Sequence, residues 1–178
     1  SPMAFVNFLQ NHDQIGNRAL GDRLEGVADA RAIKAALAVL LIAPGIPMLF
    51  MGEEWGATTP FQFFTSHPEP ELGEATAKGR KAEFAAHGWN SDDIPDPQDP
   101  QTFLRSKLDW DERDDETRAR VLACYRDLLA LRRKRIEITD PWLGHLHVDY
   151  DEDDQWITLR RGALQIVCNL GTDAASVP

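Results

Sequence analysis

The first fifty residues alternate apolar and polar stretches in the order that parallel α/β folds use. The run AFVNFL at 4–9 is short, apolar and typical of a strand buried on both faces. A polar loop is expected at 10–26, and a helix with apolar residues at helical spacing begins near Asp29. The breaker pair at 44–45 ends this helix, and IPMLFMG at 46–52 predicts a second strand. The apolar helix positions are Ile33, Leu37, Leu40 and Leu41.

Polar residues follow both predicted strands, at the point where each strand ends. A strand, a helix and a strand in this order normally form a right-handed crossover between parallel strands. The segments that begin at Asn11 and at Glu53 would then leave the sheet at the same edge. Since this edge carries the chemistry in parallel α/β folds, we expect functional side chains in both segments.

The middle of the chain, residues 56–113, shows little periodicity and contains the turn-rich stretch IPDPQDP at 94–100. Irregular segments of this length are usually functional loops or are disordered. The many phenylalanines and tryptophans argue against disorder. We therefore predict a long loop at 56–113 that lines or covers a site.

The last third of the chain predicts one helix followed by a small sheet. Asp114 or Asp115 can cap a helix whose apolar stripe recurs every three or four residues. After Pro141 come three strand-like runs, GHLHVDY, QWITLR and ALQIVCNL, separated by turn-forming residues. They predict the start of an antiparallel β domain. The stripe consists of Val121, Leu122, Tyr125, Leu128 and Leu129.

Composition and charge limit the classes of partner that the chain is expected to bind. With 19 basic and 29 acidic residues, the 178-residue chain has a net charge of -10, which opposes nucleic acids and anionic membranes. The basic run at 132–135 is better explained by the negative end of a helix dipole. No apolar run reaches bilayer length, and Cys124 and Cys168 show neither metal-ligand nor disulfide spacing. These features predict no nucleic acid, no membrane and a cytoplasmic setting.

Asn11, His12 and Asp13 are the strongest candidates for chemistry. A carboxylate at a strand end can stabilise developing positive charge, and a neighbouring imidazole can hold a hydroxyl. Glycoside cleavage uses both, because its transition state is oxocarbenium-like. Two alternatives stay open: a loop in which Asn and Asp cap backbone amides, and a metal site. The other four histidines show no ligand spacing to His12, so we predict no metal.

The residues at both strand ends carry a family resemblance. FVNFLQNHD resembles the seventh-strand motif of the alpha-amylase family of retaining glycosidases, and PGIPMLFMGEEW resembles its eighth strand. The longer wording NFLQNHDQIGNRALGDRL and the segment TPFQFFTSHPEPELGEATAKGRKAEF are similar to the trehalohydrolase branch of this family. Members of that branch hydrolyse the α-1,4 bond next to the terminal trehalose of maltooligosyl trehalose. The implied substrate is maltooligosyl trehalose or another α-glucan, and the family resemblance implies no organic cofactor.

The resemblance implies an α/β plus all-β fold. Residues 1–138 would form the last two strand–helix units of a (β/α)8 barrel, with the long loop at 56–113, and residues 139–178 would begin a β-sandwich domain. The family's nucleophile and general acid come from earlier strands that nothing in this chain matches. The resemblance therefore predicts that the chain alone is inactive. It also predicts an exposed barrel edge through which the chain can form oligomers.

The resemblance also assigns roles to individual residues. Asp13 would be the carboxylate that stabilises the transition state, and His12 would hydrogen-bond sugar hydroxyls. The further substrate-binding candidates are Asn11, Gln14 and Asn17. Glu53, Glu54 and Trp55 follow the eighth strand, where an ion pair, a loop cap or core packing competes with substrate contact. Two rival functions remain: another family enzyme, such as a glucan branching enzyme or an α-glucosidase, and a non-catalytic carbohydrate-binding module.

Overall fold

The computed structural model describes residues 4–177, which divide into two compact units. One unit contains residues 4–9, 28–49 and 119–177, and the other contains residues 10–27 and 50–118. None of the helices within 4–177 is both long enough and apolar enough to cross a membrane.

The first unit contains a pair of parallel strands. Strand β1 (Val6–Asn7) pairs with β2 (Ile46–Pro47), and the backbone amide of Met48 donates to the carbonyl of Asn7 at 2.8 Å. The parallel pairing predicted from the strand–helix–strand order is therefore confirmed. Each strand is only two residues long, shorter than the apolar runs suggested.

Strand β1 is not buried on both faces, so that prediction is wrong. The side chains of Phe5 and Val6 are 67% and 53% exposed. Within the described residues β1 has one strand neighbour, β2, and too few partners to cover its side chains. The apolar pattern is typical of a strand that is covered on both faces, and the described residues do not provide that cover.

Two long helices pack together in the first unit and form its core. Helix α2 (Ala30–Ile42) is capped by Asp29, whose carboxylate accepts a hydrogen bond from the amide of Arg31. Helix α5 (Glu116–Lys134) begins after Asp115, whose carboxylate accepts from the amide of Thr117 at 3.0 Å. Both helices match the sequence prediction, and Asp115 is one of the two capping residues predicted for α5. The core consists of Leu37, Leu41 and Tyr125, surrounded by Leu9, Leu49, Val121, Leu128 and Leu129.

The antiparallel sheet predicted at the C-terminal end is present. Strands β3 (Leu146–Asp151), β4 (Trp156–Arg161) and β5 (Leu164–Asn169) pair in that order, both times antiparallel. Ahead of β3 lie the short helix α6 (Ile136–Thr139) and a helical turn at Leu143–His145. The buried Arg161 ties α6 to the sheet, because its Nη1 donates to the carbonyl of Ile138 at 2.6 Å.

The second unit corrects two loop predictions. The segment 10–26 contains helix α1 (His12–Gly16) and a helical turn at Leu24–Gly26. The segment 56–113 contains helices α3 (Pro70–Ala86) and α4 (Pro100–Arg105) and turns at Ser91–Asp93 and Trp110–Asp114. Helix α3 carries alanine and charged residues with few large apolar side chains, so it lacks the stripe by which sequence patterns reveal a helix.

Aromatic side chains pack together in the second unit. The rings of Phe50 and Phe61 lie 5.2 Å apart, those of Phe61 and Phe64 lie 5.6 Å apart, and those of Phe64 and Phe103 lie 5.2 Å apart. All three pairs have the edge-to-face geometry that aromatic rings prefer. These contacts join the segment 61–64 to helix α4 and explain why so many aromatics lie in this part of the chain.

Candidate functional site

The Asn-His-Asp motif forms the start of a short helix. Asn11 has extended backbone geometry, and its Oδ1 accepts a hydrogen bond from the amide of Gln14 at 3.0 Å. At the other end of α1, the amide of Asn17 donates to the carbonyl of Asp13 at 3.0 Å. The motif therefore fixes where α1 begins, and it places His12 and Asp13 in the first helical turn.

His12 and Asp13 form an exposed pair. The Nε2 atom of His12 lies 3.2 Å from Oδ1 of Asp13, and the two side chains are 68% and 72% exposed. A carboxylate held against an imidazole in this way can face a ligand from solvent with both a negative charge and a hydrogen-bonding ring. The structure thus brings these two predicted site residues together.

Gln14 and Asn17 are exposed residues of the same segment, whereas Ile15 and Gly16 between them are buried. Ile15 is almost completely excluded from solvent and anchors α1 within the second unit. Anchoring by buried residues leaves the polar residues of α1 on the accessible side. Four of the predicted polar side chains, those of His12, Asp13, Gln14 and Asn17, therefore lie on one short exposed segment.

The second predicted group, Glu53 to Trp55, occupies a helical turn of its own. Gly52 and Gly56 flank this turn in the left-handed region, and a side chain at Gly52 would clash with Leu108. Glu54 is half-buried and accepts a hydrogen bond from the amide of Gly52 at 2.8 Å. This is the loop-capping geometry that the sequence left open for these carboxylates.

Glu53 and Trp55 are both only 1% exposed. The Trp55 ring packs against Trp110 at 5.2 Å, and its Nε1 donates to Glu112 at 3.4 Å. A side chain buried in this way has its ring faces and its donor engaged within the unit. Trp55 in this structure contributes to packing.

Two buried arginines near α1 were missed by sequence reasoning. Arg23 is 3% exposed, and it donates to the carbonyls of Thr59 at 2.5 Å and Met51 at 2.8 Å. Burial lowers the pKa of this guanidinium, although Glu25 and three other carboxylates oppose the shift. Arg80, on α3, donates to two carbonyls at the end of α1. An isolated arginine in a polar stretch usually lies at the surface, so neither residue stands out in the sequence pattern.

The described residues do not assemble a metal site. Within 4–177 no three side chains of the types His, Cys, Asp and Glu cluster in a way that could hold an ion. The exposed pair of His12 and Asp13 supplies only two such groups.

Comparison with known proteins finds relatives that carry the name of a trehalohydrolase. A protein of Mycobacterium tuberculosis named malto-oligosyltrehalose trehalohydrolase is 57% identical over 94% of the chain. Relatives with the same name from Rhizobium sp. and Deinococcus radiodurans are 52% and 45% identical over 94% and 97% of the chain. The predicted resemblance to the trehalohydrolases is confirmed. The chain spans 28% to 29% of the length of these three relatives.

A solved structure agrees with the trehalohydrolase resemblance. A crystal structure described as a putative alpha amylase from Salmonella typhimurium matches 99% of the chain with a TM-score of 0.84 and 41% identity. The chain covers 31% of that protein. In addition, residues 141–178 match a family model described as a domain of unknown function, DUF3459. The chain thus resembles a trehalohydrolase in sequence and an alpha amylase in fold.

Proposed function

We propose that this chain forms the part of a retaining α-glucan hydrolase that supplies the transition-state-stabilising carboxylate, Asp13. The observation that carries the proposal is the exposed pair of His12 and Asp13 on α1, within a chain that is 57% identical to a trehalohydrolase. The proposed reaction hydrolyses the α-1,4 bond next to the terminal trehalose of maltooligosyl trehalose and releases trehalose.

The geometry of the pair suits this chemistry. As the glycosidic bond breaks, positive charge develops on the sugar ring, and an exposed carboxylate beside the ring stabilises that charge. The His12 imidazole, held 3.2 Å from Asp13, is placed to hydrogen-bond a sugar hydroxyl on the same side. Gln14 and Asn17 are proposed as ligands to the sugars beyond the scissile bond. Asn11 supports them by capping α1.

The remaining predicted residues take supporting roles in this proposal. The buried Trp55 and Glu53 and the amide-bonded Glu54 shape the turn that follows β2. Parallel strands β1 and β2 are proposed as neighbouring strands of a (β/α)8 barrel, with the barrel portion at 1–138 and the β domain at 139–178. The TM-score of 0.84 to the putative alpha amylase supports this arrangement. The nucleophile and the general acid would come from residues outside this chain.

A hybrid enzyme tests the proposal. We define it as the Rhizobium sp. relative in which the matching segment is replaced by this chain. The hybrid is expected to release trehalose from maltooligosyl trehalose, and the chain alone is expected to release none. If the hybrid produced maltose or branched glucan instead, the product would support the alternative hypothesis, another amylase-family enzyme, and contradict the trehalohydrolase hypothesis. Turnover by the chain alone would contradict the proposed division of the active site.

The role of Asp13 is tested in the same hybrid. Asp13→Asn keeps the shape of the side chain and removes its charge, so kcat should fall by about 10³-fold. Asp22→Asn is the matched control, because Asp22 is an exposed carboxylate of the same unit and should leave kcat unchanged. Substrate binding that weakens only slightly, with kcat intact, would instead favour a carbohydrate-binding role.

A further inference from the structure

Helix α3 reaches the end of the site helix through one side chain. The Nη2 atom of Arg80 donates to the carbonyl of Gly16 at 2.8 Å and to the carbonyl of Arg18 at 3.0 Å. These carbonyls belong to the residues on either side of Asn17. A single guanidinium nitrogen therefore bonds the peptide group that precedes Asn17 and the peptide group that follows Arg18, one residue beyond this proposed substrate ligand.

The position of Asn17 follows from these contacts. Its amide donates to the carbonyl of Asp13 at 3.0 Å, and its backbone has φ -85° and ψ 0°. The backbone carbonyls at the end of a helix have no donors within the helix, so they need partners from elsewhere. Arg80 supplies donors to carbonyls in this stretch. With the carbonyls before and after it fixed, Asn17 presents its side chain from one defined backbone position.

Arg80 itself is buried against two aromatic rings. Its guanidinium carbon lies 4.9 Å from the ring centre of Phe63 and 4.8 Å from that of Phe84, and the residue is 8% exposed. Burial lowers the pKa of the guanidinium, while the nearby Glu83 opposes the shift. Two aromatic faces thus stabilise the cation where water is largely excluded. A lysine cannot reproduce this arrangement, because its ammonium group is neither planar nor forked.

We infer that Arg80 is a positioning residue that sets the orientation of Asn17 and thereby the affinity for the trehalose end of the substrate. The inference rests on the proposed function, in which Asn17 contacts sugar. Arg80 and the two rings that it contacts, those of Phe63 and Phe84, lie in the segment 59–84, whose sequence resembles the trehalohydrolase branch specifically. The segment particular to that branch thus contacts residues 16 and 18, which lie just beyond the motif FVNFLQNHD that resembles the whole amylase family.

A double-mutant cycle in the hybrid enzyme tests the inference. The variants are Arg80→Lys, Asn17→Ala and the two combined, with Lys78→Gln as the control because Lys78 is an exposed cation of the same helix. KM and kcat are measured on maltooligosyl trehalose, and circular dichroism verifies that each variant is folded. Phe84→Leu removes one of the two ring contacts of Arg80 without removing a hydrogen-bond donor, so it keeps the test possible if Arg80→Lys does not fold.

The expected result is coupling between Arg80 and Asn17. Each single variant should raise KM by about tenfold with a smaller change in kcat, since misplaced contacts remote from the bond weaken binding. The combined variant should be no worse than either single one, and Phe84→Leu should shift KM in the same direction as Arg80→Lys. A residue that only stabilises the fold would lower thermal stability and leave KM unchanged.

Two outcomes would overturn the inference, and they differ in what else they affect. If Asn17→Ala raises KM but the effects of Arg80→Lys and Asn17→Ala multiply, Arg80 does not act through Asn17, and the proposed function stands. If Asn17→Ala leaves KM unchanged, both the inference and the proposed role of Asn17 fail. Loss of trehalose release on Asp13→Asn would still support the catalytic proposal in either case.

Discussion

The carboxylate of Glu112 shows how one side chain joins two turns of the second unit. It accepts hydrogen bonds from Trp55 Nε1 at 3.4 Å, from the amide of Thr58 at 3.2 Å and from the hydroxyl of Thr58. Burial raises the pKa of Glu112, but these hydrogen bonds outweigh it and hold the pKa below its ordinary value. The ionised form is therefore the one that stabilises the folded state.

Substitution of Glu112 should reveal this stabilisation as a pH dependence. Because the folded pKa is the lower one, the contribution is complete above the unfolded pKa of about 4.3 and is lost as the pH falls through the folded pKa. Glu112→Gln should lower the free energy of unfolding of the 178-residue chain by about 1 kcal/mol at neutral pH. The difference from the unsubstituted chain should shrink in acid, as measured by urea unfolding at several pH values.

The matched control is Glu152→Gln, which changes an exposed carboxylate in the turn between β3 and β4. It should leave the free energy of unfolding unchanged. A loss at Glu112→Gln that is equally large at neutral and acid pH would show that shape, and not charge, matters at this position.

For individual residues, the sequence predicted contacts between accessible neighbours better than contacts of buried side chains. His12 and Asp13 were predicted as neighbours, and a contact between adjacent residues needs little tertiary information. The partners of Arg80 lie 62 and 64 residues away along the chain, and those of Arg23 lie 28 and 36 residues away. Contacts at such separations leave no periodicity in a single sequence. The assignment of substrate roles to the exposed residues stays a prediction.

Among the elements, helix α2 ends in an arrangement that its own sequence does not provide. Its last carbonyls need donors, and Pro44 and Gly45 follow directly. Arg132 of α5 supplies them: its Nη1 lies 2.7 Å from the carbonyl of Leu41 and 2.9 Å from that of Ala43, and its Nη2 lies 2.8 Å from that of Gly45. The first cation of the basic run at 132–135 thus joins α5 to the end of α2.

Removing this contact should destabilise the first unit. Arg132→Gln leaves three carbonyls without their charged donor, so the free energy of unfolding should fall by about 2 kcal/mol. Arg133→Gln is the control, since Arg133 is exposed on the same helix. Thermal or urea unfolding of the two variants measures the difference. Equal stability of the two variants would mean that water replaces Arg132 at no cost.

Periodicity decided which elements could be predicted. Helices α2 and α5 carry apolar stripes, and β3 to β5 are β-rich runs between turn formers, so all five were found within a few residues of their observed bounds. Helix α3 was missed because its buried positions are Gly73 and Arg80, neither of which marks an apolar face. Helix α1 was missed because five residues are too few to show a period.

For the whole molecule, the apolar run at 4–9 identifies a surface that the described residues do not cover. Its alternation-free pattern is typical of strands that are covered on both faces of a sheet. Within 4–177, β1 pairs with one strand, β2. The exposed residues of this surface, which we call the β1 surface, are Phe5, Val6, Phe8 and Ile46. The apolar pattern predicts that such a strand is buried. It does not identify the segments that cover the strand, because those contacts are set by the three-dimensional fold.

The β1 surface should make the 178-residue chain self-associate. An unpaired strand edge with exposed apolar side chains is a template for pairing with another copy. The chain has a net charge of -10, but residues 4–9 contain no charged side chain that would oppose contact between two copies. Light scattering coupled to gel filtration should therefore give a mass that rises with concentration. Phe5→Lys combined with Phe8→Lys should shift the population towards the monomer, because charged side chains at a strand edge discourage edge pairing. Leu72→Lys, which places one positive charge on the exposed face of α3, should have no such effect, whereas Phe5→Lys alone, with the same single charge, should already shift the population. A monomer at all concentrations would contradict the prediction, and equal effects of the two changes would point to a general effect of charge.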